Sequence, residues 1–412
     1  MISKIKEKGY KLSVIIIIKK LYNYFISLLV CFVTFIPSVC LSMYYILFFF
    51  NKKIILVKLD CRKFGHVLQG TEYILRFYKD AQIKLIFLVE IRNEIREIIS
   101  ILKNTETVHS KHLGIFFELL SKFLNNIEVV KPTLQTTKKF LLISSKCNLK
   151  LFNQDYFIKQ LQDRIGVEKW VTFTVRDSEY TIRHQNYKPE MLRDTYLVTY
   201  EKAIKYLLKR NYGVVFINRD IPQKIQIGDQ RYYDYNNEKK YNLNKEICLI
   251  QNSSLHIASD TSIDLISLYT KVFTCWTNVP LGDVFNHHFM MNSNILPVNH
   301  YDLINEEYIS IKKYLYLLKK SQELYGASDR LEFKQHKKLG ILKIPNTPDE
   351  ILKAVEESIN YSNGNYKLTT EEYNTQKKFW ILQNEKYASK LTHKNINAYI
   401  SRDYVNKHNF LR

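Results

Sequence analysis

The chain has 412 residues, 46% of them hydrophobic and 25% charged, which excludes a largely disordered polypeptide and leaves room for two domains and an appendage. Its 61 Lys and Arg against 40 Asp and Glu give a formal net charge of +21, a balance suited to membrane surfaces, phosphorylated substrates or nucleic acid. The basic residues are dispersed without a nucleic-acid motif, so sequence-specific nucleic-acid recognition is not expected; Cys31, Cys40, Cys61, Cys147, Cys248 and Cys275 lack C-x-x-C spacing and predict neither a disulfide framework nor a zinc site.

Leu21–Phe50 is free of formal charge over 30 residues. As a helix it would be ~45 Å long against a hydrocarbon core of ~30 Å. Pro37 lies near its middle, Lys19-Lys20 and Lys52-Lys53 bracket it, and Tyr22, Tyr24, Tyr44 and Tyr45 are placed for the interfaces. One tilted span and a broken helix that re-enters the same leaflet both fit. The apolar stretch is too long for a cleaved signal peptide and ends in no small-x-small site. Residues 1–50 are therefore read as a basic N-terminus and a membrane-associated helix.

From residue 51 the pattern alternates. Ile54–Asp60 has strand length, Thr71–Asp80 has helical spacing, Ile83–Glu90 is a second strand and Arg92–Leu102 a charged amphipathic helix. Phe116–Leu124 reads as helix, and Ile127–Val130 and Phe140–Ser144 as strands. This rhythm predicts an α/β domain with a parallel sheet over residues 51–165, with Cys147–Glu168 as a polar linker with a helix in it.

The rhythm restarts at Trp170 and defines a second α/β domain over residues 166–360. Two of its apolar runs, Trp170–Tyr180 and Glu246–Lys271, each empty into a polar loop. The first ends at Arg176-Asp177; the second ends at Ser259-Asp260-Thr261-Ser262, where a helical pattern begins. Between them lie an amphipathic helix at Thr195–Arg210, a strand at Tyr212–Asp220 ending in Arg219, and a Tyr-rich stretch of little regular pattern from Ile221 to Asn244. A strand is expected at Val272–Trp276. Leu339–Tyr361 is a final strand and helix, with Thr347 as N-cap, Pro348 in the first turn and acidic residues after it. Residues 361–412 are read as a basic, mostly helical extension. Ligands of open α/β sheets collect outside the carboxyl ends of strands, and arginines beside a Ser/Thr-rich helix start suit a diphosphate.

The stretch Ser259–Pro280 resembles the loop, helix and strand of bacterial heptosyltransferase-type enzymes, with Asp260-Thr261-Ser262 in place of their Asp-Thr/Ser-Gly turn. Here Ser262 stands where that family has glycine. More broadly, residues 54–360 resemble an uncharacterised bacterial family of surface-polysaccharide glycosyltransferases. The likeness is carried by Phe64-Gly65-His66, Val175-Arg176-Asp177, Arg193-Asp194, Tyr200–Leu207, Gly213-Val214-Val215 and the Asn346–Leu352 helix start, while Asn218-Arg219-Asp220 lacks the glycine of that family's strand end.

The resemblance implies two facing Rossmann-like domains, the GT-B plan, an acceptor domain at 51–165 and a nucleotide-sugar domain at 166–360. It implies transfer of a sugar from a nucleotide-diphosphate donor to a lipid-linked surface glycan such as O-antigen or capsule, at the cytoplasmic face of the membrane. In this scheme His66 is the base that takes the acceptor proton and Gly65 permits close substrate approach. Arg176, Arg183, Arg193 and Arg219 hold the departing diphosphate, with Ser259, Asp260, Thr261 and Ser262 at the helix start. No cofactor is expected, and the lack of an Asp-x-Asp motif agrees with a metal-independent reaction; Asp283 with His287-His288 is a poor metal set because adjacent histidines rarely converge on one ion. The alternative class is a non-catalytic membrane scaffold with a degenerate fold, which the missing glycines at Asp220 and Ser262 favour.

Overall fold

The computed structural model describes residues 54–58, 84–88, 105–108, 127–130, 155–176, 194–217, 224–238, 242–284, 292–325, 331, 333–387 and 398–408. The chain divides into two compact units, one within residues 1–133 and one within residues 134–412.

In the first unit, β1 (Ile54–Lys58), β2 (Lys84–Leu88), β3 (Thr105–Val108) and β4 (Ile127–Val130) form a parallel sheet in the order β3-β2-β1-β4. IILVK and KLIFL are near-continuous apolar runs of strand length, which is why they are legible. β3 (TETV) is not, because three of its four residues are polar. Gly65 and His66 lie outside the described residues. So do Leu21–Phe50, the helices expected at Thr71–Asp80, Arg92–Leu102 and Phe116–Leu124, and the strand expected at Phe140–Ser144.

The second unit is built on a seven-stranded, wholly parallel sheet in which β5 (Trp170–Phe173), β6 (Gly213–Phe216) and β7 (Tyr232–Asp234) occupy one side. β8 (Leu255–Ala258), β9 (Thr274–Val279), β10 (Ser293–Pro297) and β14 (Ala398–Ile400) occupy the other, giving the order β14-β10-β9-β8-β5-β6-β7. β11 (Asn299–Asp302), β12 (Glu307–Tyr308) and β13 (Ile341–Ile344) form a separate antiparallel sheet, with β11 in the middle.

Helix α1 (Asp155–Ile165), within the segment read from sequence as linker, buries Leu161 and Ile165 in this unit. It packs close to β6. A Cβ on Gly213 would lie 2.6 Å from Ile165 Cδ1 and 3.1 Å from Val167 Cγ2. Gly213→Ala is therefore expected to destabilise by about 1–3 kcal/mol through overpacking, read as a lower urea midpoint at unchanged slope. An unchanged midpoint would mean that α1 gives way freely there.

The helix expected at Thr195–Arg210 is a 3-10 turn, Leu197–Tyr200, running into α2 (Glu201–Lys209). Leu197, Tyr200, Ala203, Ile204, Leu207 and Leu208 recur at the spacing of one helical face and are buried with Phe173, Val214 and Phe216 in the main core. The opposite face carries the Lys205–Glu201 ion pair, an i,i+4 arrangement with the acid N-terminal.

One strand reading is corrected. Glu246–Gln251 belongs to helix α3 (Leu243–Gln251), whose start is capped by the Asn242 side chain accepting from Lys245 N at 3.2 Å. Glu246 to Ile250 are buried on every side, so the run shows no amphipathic period and cannot be told from a strand by pattern alone. The strand of that unit is β8, which starts at Leu255, well after the apolar run begins at Ile247.

Helices α4 (Leu265–Thr270), α5 (Ile311–Tyr325), α6 (Phe333–Lys338) and α7 (Pro348–Ser362) follow. The α7 start is as read from sequence: Thr347 Oγ1 accepts from Glu350 N at 3.2 Å, and Thr347 N donates to Glu350 Oε2 at 2.8 Å.

Beyond Tyr361 the chain contributes more than helices. From α8 (Thr370–Tyr387), Gln376 exchanges two 2.9 Å bonds with the main chain of Ile400, and Trp380 Nε1 donates to Ala398 O at 2.8 Å. These side chains occupy main-chain groups that an edge strand leaves open. Helix α9 (Arg402–His408) then returns Lys407 and His408 to the buried Glu350 at 2.8 and 2.9 Å. Cys248 and Cys275 are buried thiols. Among the described residues no helix is long and apolar enough to cross a membrane.

Candidate functional site

The order of the seven-stranded sheet fixes where a ligand crevice falls. The chain leaves β5 towards β6 and leaves β8 towards β9, on opposite sides, although β5 and β8 are paired neighbours. Their carboxyl ends therefore flank a topological switch point, the place where connections diverge and open a crevice. Arg176 follows β5, and Ser259, Asp260, Thr261 and Ser262 follow β8. The structure brings these five sequence candidates together.

Arg176 is half-buried and clipped to the β8 loop by two bonds. Its main-chain N–H donates to Ser259 Oγ at 2.5 Å, and Nη1 donates to the Asp260 carbonyl at 2.9 Å. Ser259 Oγ also lies 3.4 Å from the Thr174 carbonyl, to which it donates. The loop turns sharply enough to hold Asp260 at φ +62°, a left-handed conformation that Asp tolerates better than most side chains. That turn aims the Asp260 carbonyl at the guanidinium.

Beneath the loop runs a buried polar network that the sequence reading did not pick out. Asp264, fully buried, accepts at Oδ1 from Thr174 Oγ1 (2.5 Å), Thr261 Oγ1 (2.8 Å) and His256 Nε2 (3.1 Å), and at Oδ2 from Thr261 N (2.6 Å). A carboxylate with no solvent access is tolerated when donors converge on it in this way. Because Nε2 faces a carboxylate, it is the nitrogen assigned the proton, and Nδ1 meets Thr172 Oγ1 at 2.9 Å. Thr172 lies opposite His256 in the β5–β8 register and is 3.2 Å from Ser253 Oγ.

The network changes what the loop offers. The Thr261 N–H and hydroxyl, expected to face a phosphate, both bond Asp264, and the Ser259 hydroxyl bonds the β5 end. The helix cap is Thr261 rather than Asp260, and Ser262 begins a single 3-10 turn before the six-residue α4. Arg176 carries the site's positive charge on this side.

A second cation comes from a residue of the final strand that was not among the sequence candidates. Lys343, on β13, donates from Nζ to the Asp194 carbonyl at 3.1 Å. The next residue, Thr195, donates its N–H to the Arg176 carbonyl at 3.1 Å. Burial pushes the Lys343 ammonium down to about 8, with Asp194 acting to raise it and Arg176 to lower it further. The only sequence signal for Lys343 is a lone charge inside the otherwise apolar LGILKIP.

Arg183, Arg193 and Arg219 lie outside the described residues, as do His287 and His288. Among the described residues no group of three or more His, Cys, Asp or Glu could hold a metal ion.

No protein-family profile matches the sequence, and neither does any curated protein. Among solved structures, the chain is similar to a glycosyl transferase family 9 protein from Veillonella parvula, at 9% identity and a TM-score of 0.42, over 75% of this chain and 97% of that one. It is similar to the E. coli ADP-heptose LPS heptosyltransferase II at 9% identity and a TM-score of 0.44, over 76% and 99% of the two chains. A third is the iron-containing dodecameric glycosyltransferase TibC of enterotoxigenic E. coli, at 12% identity and a TM-score of 0.31, over 54% of this chain and 58% of that one. All three likenesses are loose.

Proposed function

We propose that the chain is a glycosyltransferase that takes a sugar from a nucleoside-diphosphate sugar and passes it to a membrane-linked surface glycan at the cytoplasmic face. The observation that carries this reading is Arg176 at the β5/β8 switch point, held by Ser259 Oγ and the Asp260 carbonyl. Of its guanidinium, only Nη1 is bonded among the described residues, which leaves N–H groups for an anion. The sequence resemblance to surface-polysaccharide glycosyltransferases supports the same substrate class. The charge-free Leu21–Phe50 and the net charge of +21 support an acceptor and a workplace at an anionic membrane.

In this reaction the acceptor hydroxyl attacks the anomeric carbon, its proton passes to His66 or a neighbouring carboxylate, and the nucleoside diphosphate leaves. Arg176 stabilises the negative charge that grows on the departing phosphate oxygens. No metal or cofactor is assigned a role in the proposal.

Calorimetric titration of the detergent-purified chain with nucleoside diphosphates and their sugars tests the donor half of the reading. Saturable binding of one nucleotide family supports it. A folded protein that binds none of them contradicts it.

One observation favours the non-catalytic alternative: the Ser259 hydroxyl and the Thr261 N–H and hydroxyl are used inside the chain. A scaffold of this kind would bind donor without turning it over.

A further inference from the structure

We propose that Lys343 and Arg176 form a two-cation clamp for the diphosphate of the donor, one cation supplied by the parallel sheet and the other by the small antiparallel sheet. The clamp rests on the donor reading above and adds a residue and a selectivity to it.

The two side chains are tied to adjoining pieces of main chain. Lys343 Nζ donates to the carbonyl of Asp194, and the next residue, Thr195, donates to the carbonyl of Arg176. Arg176 in turn reaches across the crevice to the Asp260 carbonyl. Each cation is thus oriented by a main-chain oxygen, and both stand at the carboxyl end of β5. Lys343 is placed by its strand: within β13 it lies opposite His300 of β11, between the exposed Leu342 and the half-buried Ile344.

The electrostatics agree with that geometry. Burying a lysine near an arginine is unfavourable by itself, and the structure keeps the pair together nonetheless. Among the described residues, Asp194 and Arg176 at the β5 end and His300 on β11 act on Lys343, with the His336 ring of α6 tilted against His300 at 5.2 Å. His300 is itself held well below the usual imidazole range by burial and by His336, so it adds no fixed positive charge. Asp194 is the one acid of the set, and it supports the protonated lysine. A diphosphate between Arg176 and Lys343 relieves the repulsion between them. A monophosphate, with one phosphoryl group, reaches one cation well and the other poorly. The clamp therefore selects a diphosphate over a monophosphate of the same nucleoside.

The test uses the full chain in detergent and titrates ADP, CDP, GDP and UDP, each beside its monophosphate, from about pH 6.5 to 9.5. Lys343→Met is expected to weaken the preferred diphosphate by at least about tenfold and its monophosphate by less than about threefold. The wild-type affinity should be highest while the lysine is protonated and fall as the pH rises through about 8. Lys343→Arg, whose charge does not titrate in this range, should keep the affinity and flatten the pH profile. It also carries the test if Lys343→Met fails to fold. If the wild-type chain binds no nucleoside diphosphate, the donor reading and the clamp fall together. If Arg176→Ala weakens binding while Lys343→Met does not, or if Lys343→Arg keeps the wild-type pH slope, the clamp is wrong and the donor reading stands.

Discussion

Replacing Asp264 by alanine is expected to lower the stability of the second unit by about 3–5 kcal/mol, because it unpairs several buried hydrogen-bond donors at once, each at about 1–3 kcal/mol. The carboxylate is fully buried and accepts from His256, Thr174, Thr261 Oγ1 and Thr261 N. Its loss strands four donors in a region that excludes water, where each unmade bond carries a desolvation penalty. Asp264→Asn should fall between the two, since the amide keeps one acceptor but points an N–H group at existing donors. Urea denaturation reads both. A His256→Leu variant, alone and combined with Asp264→Asn, should show a coupling of about 0.5–3 kcal/mol if the two residues act as one network. A loss below about 1 kcal/mol for Asp264→Ala would mean that water reaches the site or that the loop rearranges freely.

The second large effect concerns binding. Arg176→Ala is expected to weaken nucleoside-diphosphate binding at least tenfold, which is about 1.4 kcal/mol, while changing stability by no more than about 1 kcal/mol. The asymmetry follows from the contacts. Among the described residues its guanidinium makes one bond, to a main-chain carbonyl, whereas its charge has no comparable substitute on the β8 loop, where Thr261 and Ser259 are already engaged. Arg176→Lys should not restore full affinity, because the shorter, point-like ammonium lacks the planar fork of donors that spans the Asp260 carbonyl and a phosphate. Isothermal titration and a urea melt on the same samples separate the two effects. Equal losses of binding and stability would make Arg176 a structural residue.

The parts of the fold that were legible in the sequence are those with a strong local signal. β1, β2, β4, β5, β6 and β8 announce themselves as apolar runs, and α2 and α7 by one-sided spacing and, for α7, a complete start signal at Thr347-Pro348. The misreading of Glu246–Gln251 arose where burial on every side removes periodicity. The short β3, β7 and β14 were not legible because their polar residues are stabilised by sheet neighbours and, at β14, by Gln376 and Trp380 of a helix. Local propensity gives no notice of such partners.

The site shows the same division. Arg176 and Ser259 to Ser262 were readable because each follows an apolar run, and the switch point brings them together. His256, Asp264, Thr172 and Thr174 were hidden because their meaning lies in cross-strand register: Thr172 is directly opposite His256, and Asp264 reaches back from the following turn. Lys343 was hidden for a different reason. It belongs to another sheet, distant in sequence, and a single lysine in an apolar strand gives no hint of what it faces.

Transfer itself is the most direct test. The full chain, reconstituted with lipid extract from a glycan-producing bacterium, is incubated with nucleotide sugars carrying a radiolabelled sugar, and label entering the lipid fraction is counted against free nucleoside diphosphate. The account predicts label in lipid for one donor, released diphosphate in equal amount, and loss of both with Arg176→Ala. Donor binding with neither product, from a folded chain and with every acceptor extract tried, would contradict it and favour the scaffold.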